Sequence, residues 1–293
     1  MVKSNRACNS PKYGATNEPL GAVYAGMDIK PEDRVLAICG SGDVPFALLE
    51  GINPNSNGII RAVDLLDVQV KYAKHQADTL LRGDFNEFMR CEELGEEAYI
   101  AQALKKARLR KNIDQGFLDE NGLSANCVKR FLALPEEGQR DLLKSLSDGN
   151  NESFKQRVKM RNEYFAESGR LDRIRNRLSR LEFAKEDIFY NEGQQFDKIY
   201  LSNVMGYLVG RKVNASETAP LVEGVLDRIS PRLKQEGLVY YSFGEFPLEL
   251  PNTSSGWNLE ESLCEKARAI SDGNPIGDFE WTPVVLKKTS STK

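Results

Sequence analysis

The stretch Arg34-Val35-Leu36-Ala37-Ile38-Cys39-Gly40-Ser41-Gly42-Asp43 restricts the folds open to this chain more than any other. Val35 to Ile38 is a short, unbroken apolar run. Such a run reads as a strand buried on both faces, as in a parallel sheet. Gly40 and Gly42 follow with only Ser41 between them. Then comes Val44-Pro45-Phe46-Ala47-Leu48-Leu49-Glu50, a helical segment with a proline in its first turn. Strand, glycine turn and helix open a nucleotide-binding βαβ unit. The glycines let the backbone pass close to a ligand, and the helix start presents outward-pointing amides.

The next segment extends the unit. Gly58-Ile59-Ile60-Arg61-Ala62-Val63-Asp64 reads as a second strand ending in an acid. Asp64 lies about 20 residues beyond the glycine turn, where a carboxylate can accept both hydroxyls of a ribose. A dinucleotide fingerprint needs a third glycine inside the helix, and Val44 and Pro45 stand there instead. A ribose-binding acid beside a Gly-x-Gly turn, without a pyrophosphate cradle, fits S-adenosylmethionine (SAM) better than a nicotinamide dinucleotide. The competing reading is a purely structural turn with an incidental Asp64.

Composition narrows the class. The chain has 293 residues, which suits one large domain or a domain with a substantial insertion, and 40% hydrophobic residues suffice for a core. A net charge of −3 supplies no basic field for nucleic acid. Five scattered cysteines, none in C-x-x-C spacing, argue against a disulfide scaffold or a zinc site and for a reducing cytoplasm. No long apolar segment or leader is visible, so neither a membrane span nor export is expected. His75 is the only histidine and falls in a charged helix. It reads as a surface residue, and a His-based triad or metal site is not expected.

Residues 1–30 read as an N-terminal arm over the site, with Tyr13-Gly14 and Asn17-Glu18-Pro19 as turn signals and a short helix over Leu20 to Met27. Leu65 to Leu81 has helical spacing. A third strand should follow and does not. From about Asp84 to Arg180 the text is helical and charged, with helices expected over Glu96–Leu109, Ser124–Leu132, Glu136–Leu146, Glu152–Phe165 and Gly169–Leu181. This reads as a helical insertion, 84–180, forming a lid. Its Arg and Lys residues between Lys155 and Arg180 are expected mostly on a solvated face, with a few at the mouth of the site to meet a carboxylate. The sheet resumes with Leu181–Phe189 as a strand running into an acidic turn. Phe196–Val204, Gly237–Phe243 and Trp281–Leu286 read as further strands, Ala219–Leu233 and Asn258–Ser271 as helices, and the tail from Lys287 as disordered. The expected architecture is α/β: a doubly wound, Rossmann-like, mostly parallel seven-stranded sheet formed by residues 31–83 and 181–288. Ligands of such sheets bind beyond the carboxyl ends of the strands.

Val35–Asp43, Ala62–Asp64, Lys185–Phe189 and Asp197–Tyr207 resemble the successive motifs of class I SAM-dependent methyltransferases. The resemblance implies SAM as cosubstrate, no metal, and cofactor contacts at Gly40, Ser41, Gly42, Asp43, Asp64, Leu65, Asp187, Ile188, Ser202 and Asn203. Within that superfamily, the Cys39–Asp43 turn, Asp84-Phe85-Asn86-Glu87-Phe88-Met89-Arg90 and the insertion after it resemble the betaine-lipid-synthase-related family. That family transfers the 3-amino-3-carboxypropyl group of SAM. Its N-terminal motif has an aromatic residue before the acid, where this chain has Asn17. The resemblance implies that Tyr13, Asn203 and Tyr207 shape the reacting arm. A related reaction closes the same group on its own amine to give azetidine-2-carboxylate.

The sulfonium activates three carbons, and geometry selects which one meets a nucleophile. Little acid–base help is needed, so the lack of a useful histidine is no obstacle. The expected function is SAM-dependent chemistry with the 3-amino-3-carboxypropyl group, by transfer or by cyclisation. The alternatives are methyl transfer to a small molecule and a non-catalytic SAM-fold subunit. The expected partners are a small-molecule substrate and no nucleic acid, with a homodimer left open.

Overall fold

The computed structural model describes residues 15, 16, 18–90, 96–121, 123, 125–147, 152–190, 193–204, 215–243, 256–271 and 282–289. Tyr13, Asn17 and Tyr207 lie outside the described residues.

Seven strands form one sheet: β1 (Arg34–Ile38), β2 (Ile59–Asp64), β3 (Leu181–Lys185), β4 (Phe196–Tyr200), β5 (Leu233–Phe243), β6 (Trp257–Leu259) and β7 (Thr282–Lys288). Their spatial order is β3-β2-β1-β4-β5-β7-β6. The first five are parallel, and β7 runs antiparallel between β5 and β6. This is a doubly wound, Rossmann-like α/β sheet with an antiparallel strand toward one edge.

Alternation along the strands makes two cores. Val35, Ala37 and Tyr240 face one side, with Val23 and Met27 of α1 (Leu20–Met27), Phe46 and Leu48 of α2 (Asp43–Leu48), and Leu80 of α3 (Asp67–Leu81). Leu36, Val239 and Tyr241 face the other, against Val222, Leu226 and Ile229. Those three belong to the helix that follows β4, Ala215–Ile229, numbered α11 below. The arm's helix α1 is therefore part of a structural layer, with Val23 and Met27 fully buried.

The insertion is two bodies rather than one. Its outer part is α5 (Glu96–Leu109), α6 (Gln115–Asn121), α7 (Ala125–Leu132) and α8 (Glu136–Ser147). These close on a small core of their own, including Leu104, Phe117, Val128 and Phe131. Its inner part is α9 (Glu152–Phe165) and α10 (Arg170–Arg175), preceded by the short α4 (Phe85–Met89) after α3. Phe88, Phe165 and Ile174 join the main core beneath the sheet.

Arg161 and Arg170 of the inner part point inward, and Arg173, Arg177 and Arg180 reach partners on the main domain from its edge, which corrects the expectation of a mostly solvated face. Arg170 and Arg173 hold the buried Glu50 carboxylate at 2.8 and 3.0 Å. Tyr164 donates to the same group at 2.9 Å. Arg177 and Arg180 donate to the Ile52 and Pro54 carbonyls. After α2 a 3₁₀ turn at Leu49–Gly51 leads into the loop, and the guanidinium groups satisfy three acceptors there: the Glu50 carboxylate and the Ile52 and Pro54 carbonyls.

Several boundaries differ from the sequence reading. Trp257–Leu259 is the edge strand β6, and α12 begins only at Glu261 and ends at Ser271. The helix expected over Gly169–Leu181 ends at Arg175, followed by a 3₁₀ turn at Leu178–Arg180. The strand expected to reach Phe189 stops at Lys185, because Asp187 turns the chain by accepting the Phe189 amide at 3.0 Å. The helix before β5 starts earlier than Ala219 and yields to a 3₁₀ turn at Ser230, while β5 starts at Leu233. β7 continues through Lys288 where a disordered tail was expected. Lys287 pairs with Glu236 at 2.8 Å, and the Lys288 ammonium donates to the Ser230 and Leu233 carbonyls.

Candidate functional site

Register brings the carboxyl ends of five strands to one edge. The Cys39 amide donates to the Val63 carbonyl, which sets Gly40 beside Asp64. The Glu186 amide donates to the Asp64 carbonyl, the Leu201 amide to Tyr240, and the Ser242 amide to Ser202. Asp187, Asp64, Gly40, Ser202 and Ser242 thus follow one another, in that order, along a single rim.

The glycine turn has separate reasons for its two glycines. Gly42 has φ +91°, and a Cβ there would come within 3.0 Å of both Ala73 of α3 and the Phe46 ring. Helix α3 therefore packs against bare backbone. Gly40 has φ +50°, and a Cβ there would meet nothing within 4 Å. Its surroundings are open, as an approach path for a ligand requires.

Asp64 ends β2 half-exposed, and its Oδ1 accepts the Leu66 amide at 2.9 Å, which fixes the carboxylate on the rim. Leu65 beside it is 53% exposed, an apolar side chain with no cover. Burial pushes the Cys39 thiol well up, and the Asp64 and Asp43 charges push it further. Cys39 is therefore an inert thiol beneath the turn, not a nucleophile.

Asp43 was expected among the cofactor contacts, but its carboxylate is turned inward. It is 1% exposed. Oδ1 takes the Arg161 Nε at 2.6 Å, and Oδ2 takes the Ser41 hydroxyl at 2.7 Å and the Thr16 amide at 2.9 Å. Ser41 is itself buried by this bond. Arg161 also donates to the Phe88 carbonyl at 3.0 Å and lies over the Phe88 and Phe165 rings. Three distant segments, the arm, the glycine turn and α9, meet on this one carboxylate.

Ile188 is likewise not presented to the rim. It is 6% exposed, packed in the core on the α11 side. Asp187 caps its own turn and lines a groove of about 570 Å³ beside the end of β3, together with Arg61, Lys185, Phe189, Tyr190 and Arg228.

At the other end of the rim, Ser202 has φ +56°, a left-handed conformation uncommon for a residue other than glycine. Its hydroxyl donates to Glu18 at 2.5 Å, and Asn203 stands half-exposed beside it. Ser242 donates to the same Glu18 oxygen at 3.1 Å. In the sequence Glu18 stands in a turn signal and as the acid of the resembled N-terminal motif, with no role assigned to it. Three-dimensional structure makes it the buried acid over the ends of β4 and β5. Burial holds its carboxyl above the usual range, against the pull of the Ser202, Tyr200 and Ser242 hydroxyls.

Among the described residues, no group of three or more His, Cys, Asp or Glu side chains could hold a metal ion. Among them, too, no helix is long and apolar enough to cross a membrane.

No family model matches the chain, and no curated protein matches it. Solved structures similar to it include the [4+2]-cyclase SpnF, at 11% identity and TM-score 0.38, covering 97% of this chain and 88% of that one. A SAM-dependent methyltransferase from Thiobacillus denitrificans in complex with S-adenosyl-L-homocysteine gives 11% identity and TM-score 0.37, covering 96% and 94%. The N-methyltransferase NodS from Bradyrhizobium japonicum gives 8% identity and TM-score 0.35, covering 92% and 93%. Likenesses of this degree assign no residue a role, and the fold is read from its strand order.

Proposed function

We propose that this chain is a SAM-dependent transferase that uses the 3-amino-3-carboxypropyl group of SAM, either on a small-molecule acceptor or by closing it to azetidine-2-carboxylate. The observation that carries the SAM reading is the pairing of β1 with β2, which sets the open Gly40 backbone beside the fixed Asp64 carboxylate. That pair suits a ribose with its two hydroxyls on Asp64, and the exposed Leu65 offers an apolar surface to a base. When bound, SAM supplies a sulfonium that makes three adjacent carbons electrophilic.

The chain's own residues have the remaining tasks. Ser202 and Asn203, at the end of β4, are proposed to orient the aminocarboxypropyl arm of SAM, and Tyr13 and Tyr207 to shape it. The arm segment Thr16–Glu18 and the α9 clamp on Asp43 are proposed to exclude water. Preference for the γ-carbon over the methyl group is supported by the Asp84–Arg90 resemblance and by a buried acid suited to an amine.

Methyl transfer to a small molecule is the second reading, favoured by the strand order alone. Mass spectrometry of the protein incubated with SAM separates the two. Displacement at the γ-carbon leaves methylthioadenosine, the expected product. S-Adenosylhomocysteine as sole nucleoside product establishes methyl transfer instead. Binding of SAM with neither product is the outcome for a non-catalytic subunit.

A further inference from the structure

Two buried carboxylates sit on the same rim and are treated differently. Asp43 has a full cation, the Arg161 guanidinium, at 2.6 Å. Glu18 is equally buried, at 1% exposure, and no Lys or Arg pairs with it among the described residues. Its Oε1 takes both serine hydroxyls, and the Tyr200 hydroxyl also pulls on the carboxylate, while Oε2, although buried, has no hydrogen-bond partner among the described residues. The other titratable groups set against it are the Tyr200 and Tyr240 phenols, both held well up by burial first and then by the Glu18 charge. Neither can bring a positive charge.

A buried carboxylate oxygen without a partner is costly, and more so without a counter-charge. Satisfying the serines at the ends of β4 and β5 would require only a neutral acceptor. The chain nevertheless places an acid here and fixes it on both sides. The Glu18 amide donates to the Thr16 hydroxyl at 3.1 Å, and the Thr16 amide is held by Asp43 at 2.9 Å. On the far side, Ser202 accepts a left-handed φ of +56° while its hydroxyl meets Oε1. Such strain is kept where the surroundings impose it, commonly at a ligand site.

We propose that Glu18 Oε2 is the ammonium-binding atom of this site, accepting an N–H from a protonated amine on the ligand, either SAM's own α-ammonium or that of an amine cosubstrate. This rests on the SAM reading above. The contact is a charge-assisted hydrogen bond to the oxygen that has no partner among the described residues. Glu18 is then a binding residue, selective for amines over hydroxyl or thiol groups at the same place.

Calorimetry tests the proposal with three probes: S-adenosylhomocysteine, which carries the α-ammonium, methylthioadenosine, which lacks it, and putrescine added to the S-adenosylhomocysteine complex. Glu18→Gln keeps the size and the oxygen that takes the serines but removes the charge. If the α-ammonium is the ligand group, the variant weakens S-adenosylhomocysteine by about tenfold or more and leaves methylthioadenosine unchanged. If a cosubstrate amine is the ligand group, both nucleosides bind as before and putrescine binding is lost. Unchanged binding of all three probes overturns the proposal, as does an equal loss of both nucleosides. Failure of the unmutated protein to bind either nucleoside overturns the SAM reading and the proposal with it. Should Glu18→Gln not fold, the unmutated protein gives the same answer. Acidification that protonates Glu18 must weaken S-adenosylhomocysteine or putrescine but not methylthioadenosine, and equal weakening of all three counts against the proposal.

Discussion

The outer and inner halves of the insertion differ in what holds them. Helices α5 to α8 bury their apolar side chains mainly against one another, in a core built around Leu104, Phe117, Val128 and Phe131. Helices α9 and α10 have no separate core. They contribute Phe165 and Ile174 to the main core and tie themselves to it through Arg161, Arg170 and Arg173. Being contiguous in sequence and uniformly helical does not make an insertion one unit. Chemistry at the seams decides, and here buried ion pairs attach one half to the glycine turn and to the end of α2. A bundle as small as the outer one is only marginally stable by itself.

The largest test of this contrast is Arg161→Ala. It leaves the Asp43 carboxylate buried without its cation, and removing one partner of such a pair costs about 3–5 kcal/mol. Urea denaturation should show that loss in the unfolding of the whole sheet, and a midpoint like that of the unmutated protein would dissolve the distinction drawn here. Phe131→Ala removes an aromatic ring from the outer core, a local loss of about 3–5 kcal/mol. Because the outer core is separate, the loss should be confined to it. Hydrogen exchange should quicken across 96–147 and stay slow in β1 and β4. Replacing 96–147 by a short Gly/Ser linker should shift the sheet's unfolding free energy by only about 1 kcal/mol, set by loop closure. Equal collapse after that excision would make the outer half integral after all.

The smallest expected effect has the opposite sign. Folding raises the Glu18 pKa above its ordinary value of 4.5, so ionising Glu18 opposes folding. The penalty is absent in acid and grows as the pH rises past that value. Glu18→Gln should therefore melt above the unmutated, ligand-free protein at neutral pH, with the gap closing on acidification. A binding residue that costs stability behaves this way, whereas an anchor like Arg161 does the reverse.

Local signals in the sequence were enough for the glycine turn, for Asp64 at the end of β2, and for the bounds of α5 and α9. Each depends on neighbours within one element. Three features depend on distant partners and were not legible. Glu18 meets Ser202 and Ser242 across separations of 184 and 224 residues. Arg161 meets Asp43 across 118 residues, and in the sequence it is one cation in a basic run. The strand β6 has three residues, too few for alternation to register, and it exists because β7 offers it an edge. The inward turn of Asp43 belongs with these, since nothing beside it in the sequence names its cation. The seam within the insertion was missed for the same reason, as helical spacing identifies an apolar face but not what covers it.

The position of β7 has a consequence for how the chain is made. This strand, residues 282–288, lies between β5 and β6, and α12 packs beside it against α1, residues 20–27. A segment that leaves the ribosome before every strand of the sheet is thus completed by one that leaves after all the other strands. Until then α1 has no α12 to cover it, and β5 presents an open edge to the cell. Closure over such sequence distances is slow, and the interval is when nascent chains of this protein should depend most on chaperones.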